Sequence, residues 1–131
     1  MSHVRFTFFP SSANWRSNPY LDLLQAALER EGAVFVQVGG DYLAWRWLVR
    51  QRGRVDVLHF HWIHYQYFVA RWPRLDLTRF LGKLLLARLL GFRLVWTMHN
   101  ALPHESQHHG QDWVAHVVIS HVAHAVVVHC A

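Results

Sequence analysis

Short apolar runs alternate with longer amphipathic stretches along this chain, and that alternation limits the folds it can adopt. The stretches between the runs have helical periodicity, and three of them end at Gly32, Gly53 and Gly91. Parallel neighbouring strands need crossover connections of this kind. The pattern predicts an α/β fold, a Rossmann-like, doubly wound parallel sheet of about five strands in a single domain, residues 1–131. The predicted strands are residues 3–9, 33–38, 55–60, 92–98 and 125–129.

Capping residues predict where the helices begin. Asn18 followed by Pro19 predicts the start of the first helix, with Asn18 as its cap and Pro19 in its first turn. Asp41 is expected to cap the second helix, residues 42–51. Residues 63–77 are ambiguous because Pro73 interrupts them. Further helices are predicted at residues 78–90 and 111–124.

Composition describes a globular chain with no obvious membrane segment. Of its 131 residues, 53% are hydrophobic and 16% are charged, which favours a packed core over disorder. Cys130 is the single cysteine and can form no internal disulfide, as is usual in a reducing compartment. No secretory signal and no run of about 18 uncharged apolar residues is visible. We therefore expect a cytoplasmic protein, either free or peripheral to the inner face of the membrane.

A basic charge balance points to anionic partners. The net charge is +5 with histidines neutral, and 12 histidines add positive charge on acidification. Phosphates, anionic lipid headgroups and nucleic acid all fit a basic surface. The arginines are spread along the chain and match no recognised nucleic-acid-binding motif, so specific nucleic-acid binding is not expected.

Residues suited to ligand binding follow the predicted strands. Gly39–Gly40, His61–Trp62 and His99–Asn100 each follow a strand, and a polar loop follows the first strand after Phe9. In open parallel sheets, ligands bind beyond the carboxyl ends of the strands. The sequence therefore predicts a site at that edge of the sheet.

Four segments carry a family resemblance across nearly the whole chain. The segments are 18–20 (Asn-Pro-Tyr), 55–62 (Val-Asp-Val-Leu-His-Phe-His-Trp), 95–105 (Val-Trp-Thr-Met-His-Asn-Ala-Leu-Pro-His-Glu) and 123–129 (Ala-His-Ala-Val-Val-Val-His). Taken in order, they resemble the N-terminal domain of bacterial family-4-type glycosyltransferases of the GT-B fold. The segment at 95–105 is the most specific, and in the last segment His124 stands where the family has an acidic residue.

This resemblance implies half of a retaining glycosyltransferase that uses a nucleotide-sugar donor and no further cofactor. Such enzymes react in the cleft between two Rossmann-like domains. The N-terminal domain shapes the side that takes a carbohydrate or lipid-linked acceptor, and the C-terminal domain holds the donor. No second domain is present in these 131 residues, so we expect the chain to be inactive without a donor-binding domain or partner chain.

The resemblance implies a catalytic role for His99, which can hydrogen-bond a sugar hydroxyl or stabilise charge as the phosphate leaves. Its alternative role is to bond a loop carbonyl. Asn100 either presents its amide to the same ligand or turns the chain. His61 and Trp62 either contact the acceptor or cover the end of the sheet.

Five further positions are substrate-binding candidates: Asn18, Gly39, Gly40, His104 and Glu105. Glu105 either holds His104 or His99 in one tautomer or is a solvated loop charge. Gly39–Gly40 admits a close backbone approach, and an anion can bind beyond it. Asn18 begins a helix whose free N–H groups favour a phosphate, although the loop before it lacks the glycine-rich form of the family.

The histidines raise the question of a metal. His59, His61 and His64 offer one ligand set, and His104, His108 and His109 offer a second. The sequence has no Cys pair, no His-Glu-x-x-His motif and no evident carboxylate ligands, so we expect no metal site.

The aromatic, basic segment at 42–52 allows a different function. As a helix it places Arg46 and Arg50 one turn apart, with Tyr42, Trp45 and Leu48 along one apolar stripe. It either packs on the sheet or lies in an anionic membrane interface. The alternative to a transferase is a non-catalytic module that binds a membrane surface or a protein partner.

An exposed sheet edge also predicts self-association.

Overall fold

The computed structural model describes residues 2–11, 18–37, 40–67, 72–101 and 108–129. Within them it has one five-stranded, all-parallel sheet and four α-helices, which confirms the predicted Rossmann-like α/β fold. The strands are β1 (Arg5–Phe9), β2 (Val34–Phe35), β3 (Val57–Phe60), β4 (Arg93–Met98) and β5 (Ala125–Val128). The helices are α1 (Tyr20–Arg30), α2 (Trp45–Gln51), α3 (Pro73–Leu89) and α4 (His109–Val122), with a 3₁₀ turn at Ile63–Gln66.

The order of the strands creates a crevice beside β1. Across the sheet the order is β2-β1-β3-β4-β5, so the connections run in opposite directions on the two sides of β1. At such a switch point the loops after β1 and β3 diverge and leave room for a ligand. The N–H of His61 donates to the carbonyl of Phe9 over 3.0 Å, which holds His61 at this point.

The main core lies between the sheet and the three helices α2, α3 and α4. Leu48 of α2, Leu84 of α3 and Ile119 of α4 are each fully buried and pack toward inward-facing residues of β3 and β4. Phe60 and Trp96 represent those strands in the cluster. Covering a parallel sheet with helices in this way accounts for the apolar runs of β3 and β4.

On the opposite face, α1 is the one helix that the described residues provide. Leu21 of α1 packs with Phe6 and Phe8 of β1 in a second, smaller cluster. Val127 of β5 lies on this face and is 43% exposed, whereas Phe8 is fully buried. The face is therefore covered over β1 and open toward β5.

The bounds of two predicted elements differ most. The second strand is Val34–Phe35 rather than 33–38, and Val34 is exposed, so this strand is not covered on both faces. Among the described residues it is the edge of the sheet and pairs with β1. Helix α3 begins at Pro73 instead of residue 78. Pro73 occupies the first turn, where its missing N–H costs nothing, so it starts the helix and does not break it.

The predicted caps also differ. Helix α2 begins at Trp45, and Asp41 does not cap it; its carboxylate accepts a hydrogen bond of 2.9 Å from the N–H of Ser11. Pro19 is the residue that flanks α1, while Asn18 Oδ1 accepts from the N–H of Tyr20 over 3.0 Å. Asn18 thus satisfies the first helical N–H, although it lies one residue before the N-cap position, which Pro19 occupies.

Three glycines end helices as expected. Gly32 follows α1 with φ of 90°, Gly53 follows α2 with φ of 77° and Gly91 follows α3 with φ of 91°, a left-handed conformation that favours glycine. None of the helices that the structure describes combines the length and the apolar character needed to cross a membrane.

A pair of neighbouring leucines tests the packing of α3. Leu84 is fully buried in the main core, whereas Leu85 is 53% exposed. We expect Leu84→Ala to lower the free energy of unfolding by about 2–5 kcal/mol, because it leaves a cavity. Leu85→Ala should change it by less than about 0.5 kcal/mol. Urea unfolding followed by circular dichroism measures both, and equal losses would contradict this orientation of α3.

Candidate active site

A histidine is the first residue after each of three adjacent strands. His61 follows β3, His99 follows β4 and His129 follows β5. The register pairs Met98 with Val128, so His99 and His129 lie side by side at the edge of the sheet. Because side chains alternate along a strand, these residues face the same side as His59, two positions before His61. That side is the one covered by α1.

Hydrogen bonds join these side chains in pairs. His61 Nδ1 lies 3.2 Å from His99 Nε2, and His59 Nε2 lies 2.8 Å from Thr97 Oγ1. From α1, the hydroxyl of Tyr20 lies 3.1 Å from His129 Nε2. We call this group the imidazole cluster. Its members are Tyr20, His59, His61, Thr97, His99 and His129.

Aromatic contacts fix the ring of His99. Trp62 stacks on it with the ring centroids 4.4 Å apart and an interplanar angle of 12°. Tyr20 meets it edge-on at 5.0 Å, and His129 lies 5.3 Å away. With its Nε2 bonded to His61 as well, the imidazole of His99 is held in one orientation, as a group that acts on a ligand must be.

Burial keeps His59, His61 and His99 uncharged near neutral pH. Burial lowers the pKa of His59 to about 4, with the neighbouring His99 adding to the effect. The pKa of His61, which is fully buried, falls to about 2 through burial and the nearby imidazoles. Burial and the adjacent His129 lower the pKa of His99 to about 4. At pH 7 these three rings are neutral, so each has one N–H donor and one acceptor nitrogen.

The surroundings of His61 indicate which nitrogens carry hydrogen. Its Nε2 is buried and has no hydrogen-bond partner among the described residues. Orphaned N–H groups are rarer in proteins than under-satisfied acceptors, so the hydrogen belongs on Nδ1, which donates to His99 Nε2. His99 then carries its own hydrogen on Nδ1, for which the described residues show no partner. In this tautomer the Nδ1–H of His99 is a hydrogen-bond donor.

A cavity of about 20 Å³ opens beside His99. Its lining includes His61, Trp62, Thr97 and Asn100. This volume holds a single water-sized group. A hydroxyl has that size, and both His99 and Asn100 line the cavity.

The predicted site residues have different outcomes. His61, Trp62, His99 and Asn100 come together around this cavity. Asn18 lies outside the cluster but bonds the N–H of Tyr20, a member of it. Gly40 is exposed, and a Cβ added to it would meet nothing within 4 Å, so no close approach requires a glycine there. The remaining candidates lie outside the described residues; they are Gly39, His104 and Glu105.

Sequence reasoning missed three members of the cluster. Tyr20 was considered only as part of the segment 18–20 and Thr97 only within the fourth strand and the segment 95–105, while His129 was placed inside the fifth strand. His59 was considered as a metal ligand, but its Nε2 bonds Thr97. In the part of the chain that is described, no group of three or more His, Cys, Asp or Glu side chains is arranged to hold a metal ion. The missed signal was that a histidine directly follows three successive strands.

The predicted apolar stripe of α2 is not formed. Leu48 is fully buried, while Tyr42 and Trp45 are 53% and 44% exposed. Tyr42 precedes the helix, which begins at Trp45, so helical spacing does not apply to it. Trp47 instead faces inward and meets Phe9 edge-on at 5.3 Å. The helix packs on the sheet through Trp47 and Leu48. The half-exposed ring of Trp45 lies toward α3, against Gly82 and with Lys83 Nζ 5.9 Å from its centroid.

Compared with models of known protein families, with curated proteins and with solved structures, the chain gives no match in any of the three.

The buried neutral histidines predict acid-sensitive stability. Between about pH 4 and 6.5 the unfolded chain binds protons at His59 and His61 that the folded chain does not bind. Stability should therefore fall as pH is lowered through this range, by up to about 1.4 kcal/mol per pH unit for each of the two residues. Urea unfolding at pH 7 and pH 5 measures the loss.

A substitution attributes that loss to the cluster. His61→Asn should reduce the difference in unfolding free energy between the two pH values by about the contribution of one titrating histidine. His121→Asn alters an exposed histidine of α4 and should keep the wild-type difference. Stability that is the same at both pH values would contradict the neutral, buried state of the cluster.

Proposed function

We propose that this chain is the acceptor-side half of a retaining glycosyltransferase, which acts with a nucleotide-sugar donor held by a second domain or partner chain. One observation carries the proposal: His99 is oriented by His61 at 3.2 Å, at the carboxyl edge of a parallel sheet. Both residues belong to the segments, 55–62 and 95–105, that resemble family-4-type glycosyltransferases. The resemblance implies the reaction, and the proposal is supported by an oriented imidazole at the edge of the sheet where ligands of parallel sheets bind.

In this proposal His99 acts as a neutral hydrogen-bond donor. Its Nδ1–H is directed at an oxygen of the ligand, either the acceptor hydroxyl or an oxygen of the donor that gains charge in the transition state. Donors that are fixed before the reaction stabilise such charge without having to reorganise. Trp62, stacked on His99, provides an aromatic face for the acceptor sugar.

The charge of the site supports a shared active centre. Departure of a nucleoside diphosphate needs cationic groups or a metal near the phosphates. The imidazole cluster contains no Lys or Arg, and its buried histidines are neutral at pH 7. The cations that hold the diphosphate are then supplied by the donor-binding side, so the chain alone should not transfer sugar.

Reconstitution tests this proposal. The chain is combined with a donor-binding chain from its own cell, and release of nucleoside diphosphate is followed over a panel of nucleotide sugars. We expect transfer from the mixture and none from this chain alone. His99→Ala should lower the rate about 100-fold or more, because it removes the oriented donor.

His121→Ala is the matched control, since it removes an exposed imidazole from α4 and should keep the wild-type rate. Turnover by the isolated chain at an ordinary enzymatic rate would contradict the shared centre. A reconstituted rate that is unchanged by His99→Ala would contradict the assignment of the site.

A second candidate function, binding to an anionic membrane surface, is favoured by the outer face of α2. Trp45 and Val49 are 44% and 61% exposed there, beside the exposed Arg46 and Arg50. Tryptophan at headgroup depth with arginine on lipid phosphates is the usual chemistry of such a surface.

Sedimentation with vesicles tests this candidate. Binding to vesicles with 30% phosphatidylglycerol should exceed binding to pure phosphatidylcholine, since each Arg near an anionic surface contributes about 1 kcal/mol. The double variant Arg46→Gln, Arg50→Gln should lose most of that difference. Arg30→Gln with Arg54→Gln, an equal change of charge at exposed positions elsewhere, should retain it. Equal effects of the two pairs would show that net charge alone is responsible.

A further inference from the structure

An apolar groove lies on the α1 side of the sheet. It has a volume of about 480 Å³ and is bounded by α1 and by β5. Leu24 and Leu28 of α1 form one wall, and its floor includes Val57, Val95 and Val127 from three successive strands. Val127 is 43% exposed. Large apolar pockets of this kind are common binding sites for ligands.

The groove is apolar along its length and polar at one end. It extends from Val4, just before β1, to His129, just after β5, and so follows the strands along the sheet. At the carboxyl edge its lining becomes Tyr20, His59, Thr97 and His129, all members of the imidazole cluster. The two regions are continuous, because alternate residues of the same strands form both.

This gradient of polarity matches one class of ligand. A molecule that fills the groove needs a long hydrocarbon part, since the described walls along most of its length offer no hydrogen-bonding side chain. At the cluster it needs hydroxyl groups, which neutral imidazoles and a phenol can both donate to and accept from. A sugar or another polyhydroxylated headgroup on a single chain meets both requirements.

We infer that the groove binds the hydrocarbon chain of an amphiphile and that the imidazole cluster holds its hydroxylated headgroup. Identification of this amphiphile as the acceptor rests on the proposed function. The binding site itself does not, because it depends only on the groove. The inference excludes a purely water-soluble acceptor as the preferred ligand of this chain.

Alkyl maltosides of increasing chain length test the inference. Octyl, decyl and dodecyl maltoside are titrated into the intact chain below their critical micelle concentrations, with isothermal titration calorimetry as the readout. Each buried methylene should tighten binding about fourfold, so each step of two methylenes should lower Kd about 15-fold. Saturation at one molecule per chain is expected. A Kd that does not depend on chain length would overturn the inference.

Two neighbouring valines of β5 provide matched variants. Val127 faces the groove and is 43% exposed, while Val126 faces the opposite side of the sheet and is 38% exposed. Val127→Glu places a charge in the groove and should weaken dodecyl maltoside binding at least tenfold. Val126→Glu should change it less than twofold. Equal effects would mean that the detergent adsorbs elsewhere and would overturn the inference.

Other occupants have distinct signatures. Light scattering tests whether the groove is instead covered by a second copy of this chain. A dimer that Val127→Glu dissociates, together with no binding of maltoside by the monomer, would overturn the inference in favour of that second copy. Failure of the proposed function is a separate result. If maltoside binding does not depend on chain length, the groove inference fails, but His99→Ala can still lower the rate of reconstituted transfer. If His99→Ala leaves that rate unchanged, the proposed function fails, but maltoside can still bind in the groove.

Discussion

The register of three parallel strands is the constraint on which this site depends. Pairing of β3 with β4 and of β4 with β5 brings the first residues after those strands to one edge of the sheet. His61 and His99 then meet at 3.2 Å, and His129 lies next to His99. A slip of one residue in either ladder would turn the side chains of one strand to the opposite face and separate the pair. The same hydrogen bonds that build the sheet therefore build the site.

Environment then gives these equal side chains different roles. His61 is enclosed by Phe8, His59 and Tyr20, so it stays neutral and serves to orient its neighbour. His99 is half-buried, with one nitrogen bonded to His61 and its ring against Trp62. Burial and contacts thus distinguish the enclosed imidazole of His61 from the half-buried imidazole of His99, although the two side chains are chemically identical.

The sequence was a good guide to periodic features and a weaker one to tertiary ones. Alternating apolar and amphipathic stretches predicted the parallel α/β sheet, and the positions after the strands predicted that His61 and His99 lie at one edge. Pro73 was taken for a breaker because a proline inside a helix and a proline at its start look alike without the fold. Tyr20 and His129 join the site from residues far apart in the chain, and no local pattern reveals such a contact. The lowered pKa values also depend on burial, which only the packed structure supplies.

Helix α1 connects the two ends of this face mechanically. Tyr20 in its first turn contacts the imidazole cluster, while Leu24 and Leu28, one and two turns later, form a wall of the apolar groove. A single helix is rigid over so short a distance, so displacement of one end displaces the other. Any molecule that orders the leucine wall therefore also restricts the phenol above His99. If the groove binds an amphiphile as we infer, its occupancy is coupled to the alignment of the imidazoles through a stiff helix of eleven residues.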